Sequence, residues 1–235
     1  MKKNNIQQWC DLSYSLDSRR KFYKDSKILI TRKEKYSNNL VNRETEIFIN
    51  SHMGTHIDFP AHCIQNGNFG EKYSLDFFYS RKIFVVNIDL SKKKIPKLTY
   101  EYFYKNVKIP KQIEILLVNT NFYTLRNDER YIWNSPIVSS KIPLYFKKNF
   151  PNIKIIGFDI ISLTSQLDRE EGKRCHFNFL SKKYGREILV IEDMNFSNLR
   201  KNDIIKEIFI SPLKFEYMDG SPCSIVAKIE RNNKK

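Results

Sequence analysis

The sequence is short of several features, and each shortage excludes a class of protein. Its 235 residues contain only 7 glycines and 8 prolines, with no repeat or low-complexity linker, so we see no domain boundary and expect one domain spanning 1–235. No apolar run is long enough to span a membrane as a helix. Residues 1–8 include lysines but no apolar segment follows them, so we expect no signal peptide.

Cysteine is scarce as well. The four cysteines lack the spacing of a disulfide framework, which favours free thiols in a reducing, cytoplasmic setting. Acidic residues are outnumbered, and the formal net charge is +15, a balance found in proteins that bind nucleic acids or anionic membranes. However, the lysines are spread along the whole chain and no zinc-finger or RNP signature is present. We therefore predict neither a nucleic-acid nor a membrane partner.

Histidine is concentrated in one place. Three of the four histidines, His52, His56 and His62, lie in the twelve residues 51–62 together with Asp58. Several imidazoles and a carboxylate this close are costly to bury without a partner. A divalent metal is the simplest partner, because neutral imidazole and ionised carboxylate are its usual nitrogen and oxygen ligands. The alternative is a histidine-rich loop without a metal.

The spacing of this motif fits a helix or an extended segment. In a helix, His52 and His56 would stack four residues apart, as in the H-E-x-x-H metalloproteases. Gly54 and Pro60 argue against a helix. In an extended segment, residues 52, 54, 56 and 58 point to one face. We favour the extended interpretation, with Gly54 leaving space between the ligands and a strand at 45–50 leading into the motif.

The string H-x-G-T-H-x-D-x-P-x-H resembles the signature of the metal-dependent cyclase family, which includes bacterial kynurenine formamidases and isatin hydrolases. The chain keeps all seven fixed positions: His52, Gly54, Thr55, His56, Asp58, Pro60 and His62. Weaker similarities extend from about residue 11 to residue 227, including a closing D-G-S-P segment at 219–222. The resemblance implies an α/β fold of the swivelling β/β/α type, with a mixed, partly barrel-like sheet flanked by helices.

The remaining elements agree with an α/β chain. Buried strands are expected at 113–118, 153–158 and 186–195, with helices at 98–106, 136–149 and 172–180. We expect Pro143 to kink or split the second of these helices.

The resemblance also implies site residues. The family has a metal-binding histidine on the helix at 172–180 and a glutamate at the end of the next strand, which correspond here to His176 and Glu192. Asp193 is a rival ligand, but neighbouring strand residues face opposite sides, so one of the two must point away. An aromatic residue of the N-terminal loop lines the family's substrate pocket. Here the matching residues are Phe22 and Tyr23.

By this resemblance, one ion is held by His52, His56 and Asp58, and a second by Asp58, His176 and Glu192. The resemblance makes His62 the catalytic proton shuttle. Such an ion lowers the pKa of bound water from above 15 to about 7 and polarises a carbonyl. Zinc is the first expectation and manganese the second, with one or two ions per subunit.

The predicted function is an arylformamidase-like hydrolase of a C–N amide-type bond in a small molecule, working as a homodimer or homotetramer. The alternatives are a cyclase or cyclic-amide ring-opening enzyme of secondary metabolism, and a non-catalytic binder of a metal or small molecule.

Overall fold

The computed structural model describes residues 5–18 and 28–232. The strands are β1 Asn5–Asp11, β2 Leu29–Ser37, β3 Leu40–Phe48, β4 His56–Asp58, β5 Tyr79–Ser80, β6 Ile83–Asn87, β7 Lys97–Leu98, β8 Ile115–Asn119, β9 Ile137–Val138, β10 Ile155–Phe158, β11 Leu189–Glu192, β12 Ile204–Pro212 and β13 Gly220–Asn232. The α-helices are α1 Tyr100–Asn106, α2 Arg130–Trp133, α3 Lys141–Asn149 and α4 Arg169–Leu180. Short 3₁₀ turns lie at Pro60–His62, Gly70–Lys72, Leu75–Phe78, Phe122–Leu125 and Lys182–Tyr184.

Nine of the described strands form one mixed sheet. Their order is β5-β12-β13-β4-β11-β10-β8-β6, and β1 pairs with β13. Strands β6, β8, β10 and β11 run parallel to one another, whereas β4 is antiparallel to both β11 and β13. Strand β12, second in this order, also contacts β6, which is last. The sheet therefore curls back on itself. The predicted α/β class with a mixed, partly barrel-like sheet is confirmed.

The core lies between the parallel strands and the helices. Residues of β8, β10 and β11 are almost entirely inaccessible to solvent, as is typical of parallel strands covered on both faces. Helix α4 packs against β11 and α3, and the ring of Phe179 on α4 lies 6.4 Å from that of Phe158 on β10. This packing places one face of α4 next to the end of β11, which is where the candidate site lies.

Strands β2 and β3 form a separate two-stranded hairpin. Every residue of these strands is exposed to solvent except Val41, which is half-buried. Residues 45–48 of the predicted strand at 45–50 lie in β3, which ends at Phe48, so the strand stops before the metal-binding motif. Large apolar side chains such as Leu29 and Phe48 stay exposed on the hairpin. The homodimer or homotetramer remains a prediction.

The helix predicted at 136–149 is only partly correct. Ile137 and Val138 form β9, and the helix begins at Lys141. Pro143 is the third residue of α3 and does not break it, because backbone N–H groups in the first turn have no acceptor within the helix. Helix α4 starts three residues before the predicted 172 and also ends at Leu180.

None of the helices in residues 5–18 and 28–232 combines the length and apolar content that a membrane crossing requires. All four cysteines lie within these ranges and are free thiols.

Candidate metal centre

The candidate site forms around β4, which lies between β11 and β13. His56 and Asp58 are two residues apart on this strand and so share a face. In the antiparallel pairing with β11, His56 lies directly opposite Glu192. Opposite residues of such a pair project to the same side of the sheet. The register therefore brings a second carboxylate, 134 positions later in the sequence, to the side chains of the motif.

The first half of the motif is a turn, which corrects the prediction of an extended segment over 52–58. Only residues 56–58 are in strand conformation. Gly54 has a φ of +66°, a left-handed conformation that side chains disfavour, so the turn needs glycine for its backbone and not for open space. Thr55 secures the turn, since its Oγ1 donates to the Asp193 carbonyl at 2.6 Å and accepts from Tyr14 N at 2.9 Å.

His56 is held in one tautomer. Its Nδ1 donates to the Gly54 carbonyl at 2.9 Å, which leaves Nε2 as the inward-facing nitrogen. Nε2 lies 3.4 Å from Asp58 Oδ1 and 3.4 Å from Glu192 Oε2. Among the buried side-chain atoms described, His56 Nε2 and Asp58 Oδ2 are two of three without a hydrogen-bond partner. Buried polar atoms rarely remain in this condition, so both atoms point to a ligand.

His176 reaches the same point from helix α4. Its Nδ1 lies 3.1 Å from the carbonyl of Gly172, one helical turn earlier, and 3.2 Å from Thr164 Oγ1. Its Nε2 lies 3.1 Å from Glu192 Oε1 and 3.5 Å from Asp58 Oδ2. The predicted residues His56, Asp58, His176 and Glu192 are thus brought together, and each is buried.

His52 and His62 border this group. His52 Nδ1 lies 2.8 Å from Asp58 Oδ1. The His62 ring is 4.1 Å from that of His52 and 5.7 Å from that of His176, and 32% of its side chain is exposed. Ligand atoms of Asp58, His62 and His176 lie within 4.8 Å of one another, as do those of His52, His56 and Asp58. His62 is therefore close enough to bind an ion, and its role as a proton shuttle stays a prediction.

The two carboxylates favour positive charge at the site. Burial lowers the pKa of His176, but the neighbouring carboxylates of Asp58 and Glu192 outweigh it and raise this pKa to about 10. Burial also opposes the shift at His56, yet the neighbouring Asp58 and Glu192 raise its pKa well above the usual value. Burial and the charge of Asp58 raise the pKa of Glu192, but the two imidazoles outweigh them and lower it to about 2. Protons on the imidazoles or a bound cation can supply this charge.

The donor set fits a divalent metal. Imidazole nitrogens and carboxylate oxygens are ligands of zinc and manganese, and the tautomer of His56 is fixed by a carbonyl acceptor, as is usual for metal-binding histidines. Among the described residues, none of the clusters whose ligand atoms lie within 4.8 Å of one another includes a thiol.

Asp193 points away from the group, and its φ of +53° turns the chain just after Glu192. Its carboxylate forms a buried ion pair with Arg126, whose Nε donates to Oδ1 at 2.7 Å. Tyr131 donates to the same oxygen at 2.5 Å. Of the two neighbouring acids, Glu192 is the one that faces the histidines.

Two predicted pocket residues, Phe22 and Tyr23, lie outside the described residues. Conversely, Asp219 was not predicted as a site residue, although its Oδ2 lies 3.0 Å from His52 Nε2. In the sequence, the position of Asp219 before the Gly-Ser-Pro segment was its only distinguishing feature. This position does not indicate which residue Asp219 contacts.

A cavity of about 320 Å³ opens onto the histidines. Met53 and Ile161 contribute apolar surface to its wall, Ser162 and Thr164 contribute hydroxyls, and Arg169 lies where α4 begins. The cavity therefore combines a cluster of metal-type ligands, an apolar wall and one guanidinium.

Known proteins match the chain in sequence and in structure. A family model described as "Putative cyclase" matches residues 10–164. An uncharacterized protein of Methanocaldococcus jannaschii is 28% identical over 186 residues, which cover 78% of this chain and 81% of that protein.

Solved structures superpose over almost the whole chain. Isatin hydrolase A from Labrenzia aggregata, bound to benzyl benzoate, has a TM-score of 0.75 at 15% identity and covers 96% of this chain and 94% of its own. A predicted metal-dependent hydrolase from Bacillus stearothermophilus has a TM-score of 0.68 at 18% identity, covering 96% of this chain and 100% of its own. At such identities these likenesses show the fold, and they confirm the one that the sequence motif implied.

Proposed function

The chain belongs to the "Putative cyclase" family, and from this membership we propose that it is a metal-dependent hydrolase cleaving a C–N amide-type bond of a small molecule. The observation that carries the proposal is the buried group formed by His56, Asp58, His176 and Glu192, with two polar atoms that lack hydrogen-bond partners. Similarity to isatin hydrolases and to predicted metal-dependent hydrolases supports the same reaction class.

The proposed ligands are those four residues together with His52. They would hold one or two divalent ions, zinc as first choice and manganese as second. A bound divalent ion activates water near neutral pH and polarises the carbonyl of the substrate. The carboxylates of Asp58 and Glu192 balance its charge in a buried setting, where an uncompensated charge would be costly.

His62 is the proposed proton carrier. Its side chain lines the cavity, is partly exposed and stands beside the His52 ring. From this position it takes a proton from the attacking water and delivers it to the leaving nitrogen. Such transfer contributes about 10²- to 10⁴-fold to a rate.

The cavity suggests the class of substrate. Its volume of about 320 Å³ fits a small molecule, and Met53 and Ile161 offer an apolar wall to an aromatic ring. The Arg169 guanidinium, which also contacts Gln166 Oε1 at 3.2 Å, favours a substrate with an anionic substituent. We therefore propose an arylformamidase-like reaction on an N-acylated aromatic amine.

The second candidate is opening of a cyclic amide. Isatin is an aromatic cyclic amide, and isatin hydrolases from Labrenzia aggregata and Ralstonia solanacearum share the fold. The same water attack and proton transfer serve both reactions, because both break an amide C–N bond. The difference is that the leaving nitrogen stays attached to the product when a ring opens.

The test starts with the metal content of the purified protein, measured by elemental analysis. We expect bound zinc or manganese, loss of hydrolysis on prolonged chelation, and recovery when either ion is restored. Rates with an N-formyl arylamine and with isatin then separate the two reactions. Protein that is free of metal and fully active would refute the metal-dependent mechanism, and metal-loaded protein that hydrolyses neither substrate would favour a non-catalytic binder.

A further inference from the structure

Asp219 directly precedes β13, lies outside the predicted ligand set and contacts two of the four histidines. We propose that Asp219 is a positioning residue: it fixes the tautomer of His52, so that Nδ1 faces the metal ligands, and it orients His62 through the same carboxylate oxygen. The proposal rests on the metal binding described under the proposed function.

Both ring nitrogens of His52 face carboxylates. Its Nε2 lies 3.0 Å from Asp219 Oδ2, and its Nδ1 lies 2.8 Å from Asp58 Oδ1. Both carboxylates, when ionised, only accept hydrogen bonds, so a bound ion decides which nitrogen keeps the proton. Asp58 is a proposed metal ligand, so Nδ1 would turn its lone pair toward the ion beside Asp58, and Nε2 would keep the N–H that it donates to Asp219. A carboxylate behind a metal-binding histidine commonly sets its tautomer in this way.

Three hydrogen bonds hold Asp219 in place. Its Oδ1 accepts from Ser51 Oγ at 3.1 Å and from Gly220 N at 2.9 Å, and its backbone carbonyl accepts from Phe59 N at 2.9 Å. Oδ2 is therefore the oxygen turned toward the imidazoles. Gly220 completes the arrangement, because a Cβ there would stand 2.3 Å from His52 Cε1.

Asp219 also connects His52 with His62. The same Oδ2 lies 3.8 Å from His62 Nδ1, beyond a hydrogen bond but within the range of electrostatic attraction between a carboxylate and an imidazole N–H. The two rings are 4.1 Å apart. One oxygen thus faces both a proposed ligand and the proposed proton carrier, and losing it affects metal affinity and turnover together.

The test compares Asp219→Ala with Glu216→Ala, which removes an exposed carboxylate from the same loop. Zn²⁺ affinity is measured by competition with a chelator, and Co²⁺-loaded protein is examined by visible absorption. We expect Asp219→Ala to weaken metal binding by about 10- to 100-fold and to change the Co²⁺ spectrum. Glu216→Ala should match the unmodified protein, and Asp219→Glu should recover part of the lost affinity.

A double variant tests whether Asp219 acts through His52. In a His52→Ala background, Asp219→Ala should reduce Zn²⁺ affinity no further, since the imidazole that it positions is gone. Full additivity of the two losses would overturn the proposal and favour Asp219 as a ligand in its own right. Wild-type affinity and spectrum in Asp219→Ala would overturn it as well.

If Asp219→Ala does not fold, Ser51→Ala removes only one donor to the carboxylate and should still lower Zn²⁺ affinity measurably, whereas an unchanged affinity would count against the proposal. Failure of the unmodified protein to bind Zn²⁺ or Mn²⁺ at all would instead refute the proposed function, so the two failures are distinguishable.

Discussion

The buried ion pair between Arg126 and Asp193 offers a quantitative test of how the site is supported. Arg126→Met preserves most of the side-chain stem but removes the guanidinium. Asp193, only 5% exposed, then keeps Tyr131 as a donor but loses its counter-charge. Removing one partner of a buried pair costs about 3–5 kcal/mol, because the remaining charge stays desolvated. Contact of Arg126 with the Tyr14 ring, 3.4 Å from the centroid, adds a smaller loss of about 0.5–1 kcal/mol.

Urea unfolding in the presence of a chelator measures this loss, since a bound metal would add its own stabilisation to the folded state. For a chain of this length, about 3–5 kcal/mol corresponds to a fall in Tm of roughly 6–20 °C. In Arg126→Met/Asp193→Asn both charges are removed, and the loss should be smaller than the sum of the single losses by at least about 1 kcal/mol. Asparagine suits this position because it tolerates positive φ.

Lys173→Met supplies the control, because the Lys173–Glu170 pair is exposed, at 60% and 69%. Its loss should stay below about 1 kcal/mol. A loss of this small size in Arg126→Met, or strict additivity in the double variant, would show that the buried pair does not hold the end of β11. A secondary consequence is functional: because Asp193 follows Glu192 directly, Arg126→Met should also bind metal more weakly.

Three further predictions concern activity and pH. His62→Ala should keep its metal and its fold but lose about 10²- to 10⁴-fold in kcat. His56→Ala should instead lose its metal. Equal metal loss in the two variants would make His62 a ligand. Arg169→Gln should raise KM for an anionic substrate and leave KM for a neutral analogue unchanged, and equal effects on both would remove Arg169 from substrate recognition. Burial lowers the pKa of Lys147, whose Nζ donates to the Ser181 carbonyl, to about 8. The unfolded chain therefore binds more protons than the folded one between about pH 8 and 10.5, so stability should rise with pH across this window, by up to about 3 kcal/mol relative to Lys147→Met. Parallel pH profiles for the two proteins would contradict the shift.

Several elements could be predicted because their signals are local. The apolar runs that became β8 and β10 needed no distant partner to be recognised, and α4 followed from its helical pattern. Other predictions failed where tertiary contacts decided the outcome. Residues 137–138 pair with β7 as a short strand, although the sequence pattern favoured helix from residue 136.

The sequence by itself indicated the candidate chemistry of the site, because His52, His56, Asp58 and His62 are close in the chain and belong to residue types that bind metals and carry protons. It also indicated the α/β class, since strand and helix patterns are short-range.

The resemblance implied His176 and Glu192 as distant ligands, but only the tertiary structure decided which side chains face the histidines of the motif. The pairing of β4 with β11 sets Glu192 opposite His56, and a shift by one residue would bring Asp193 there instead. Asp219 reaches His52 across 167 positions in the sequence, because β13 pairs with the other edge of β4. Register depends on the packing of the whole sheet and not on any segment alone, so these contacts could not be read from the motif.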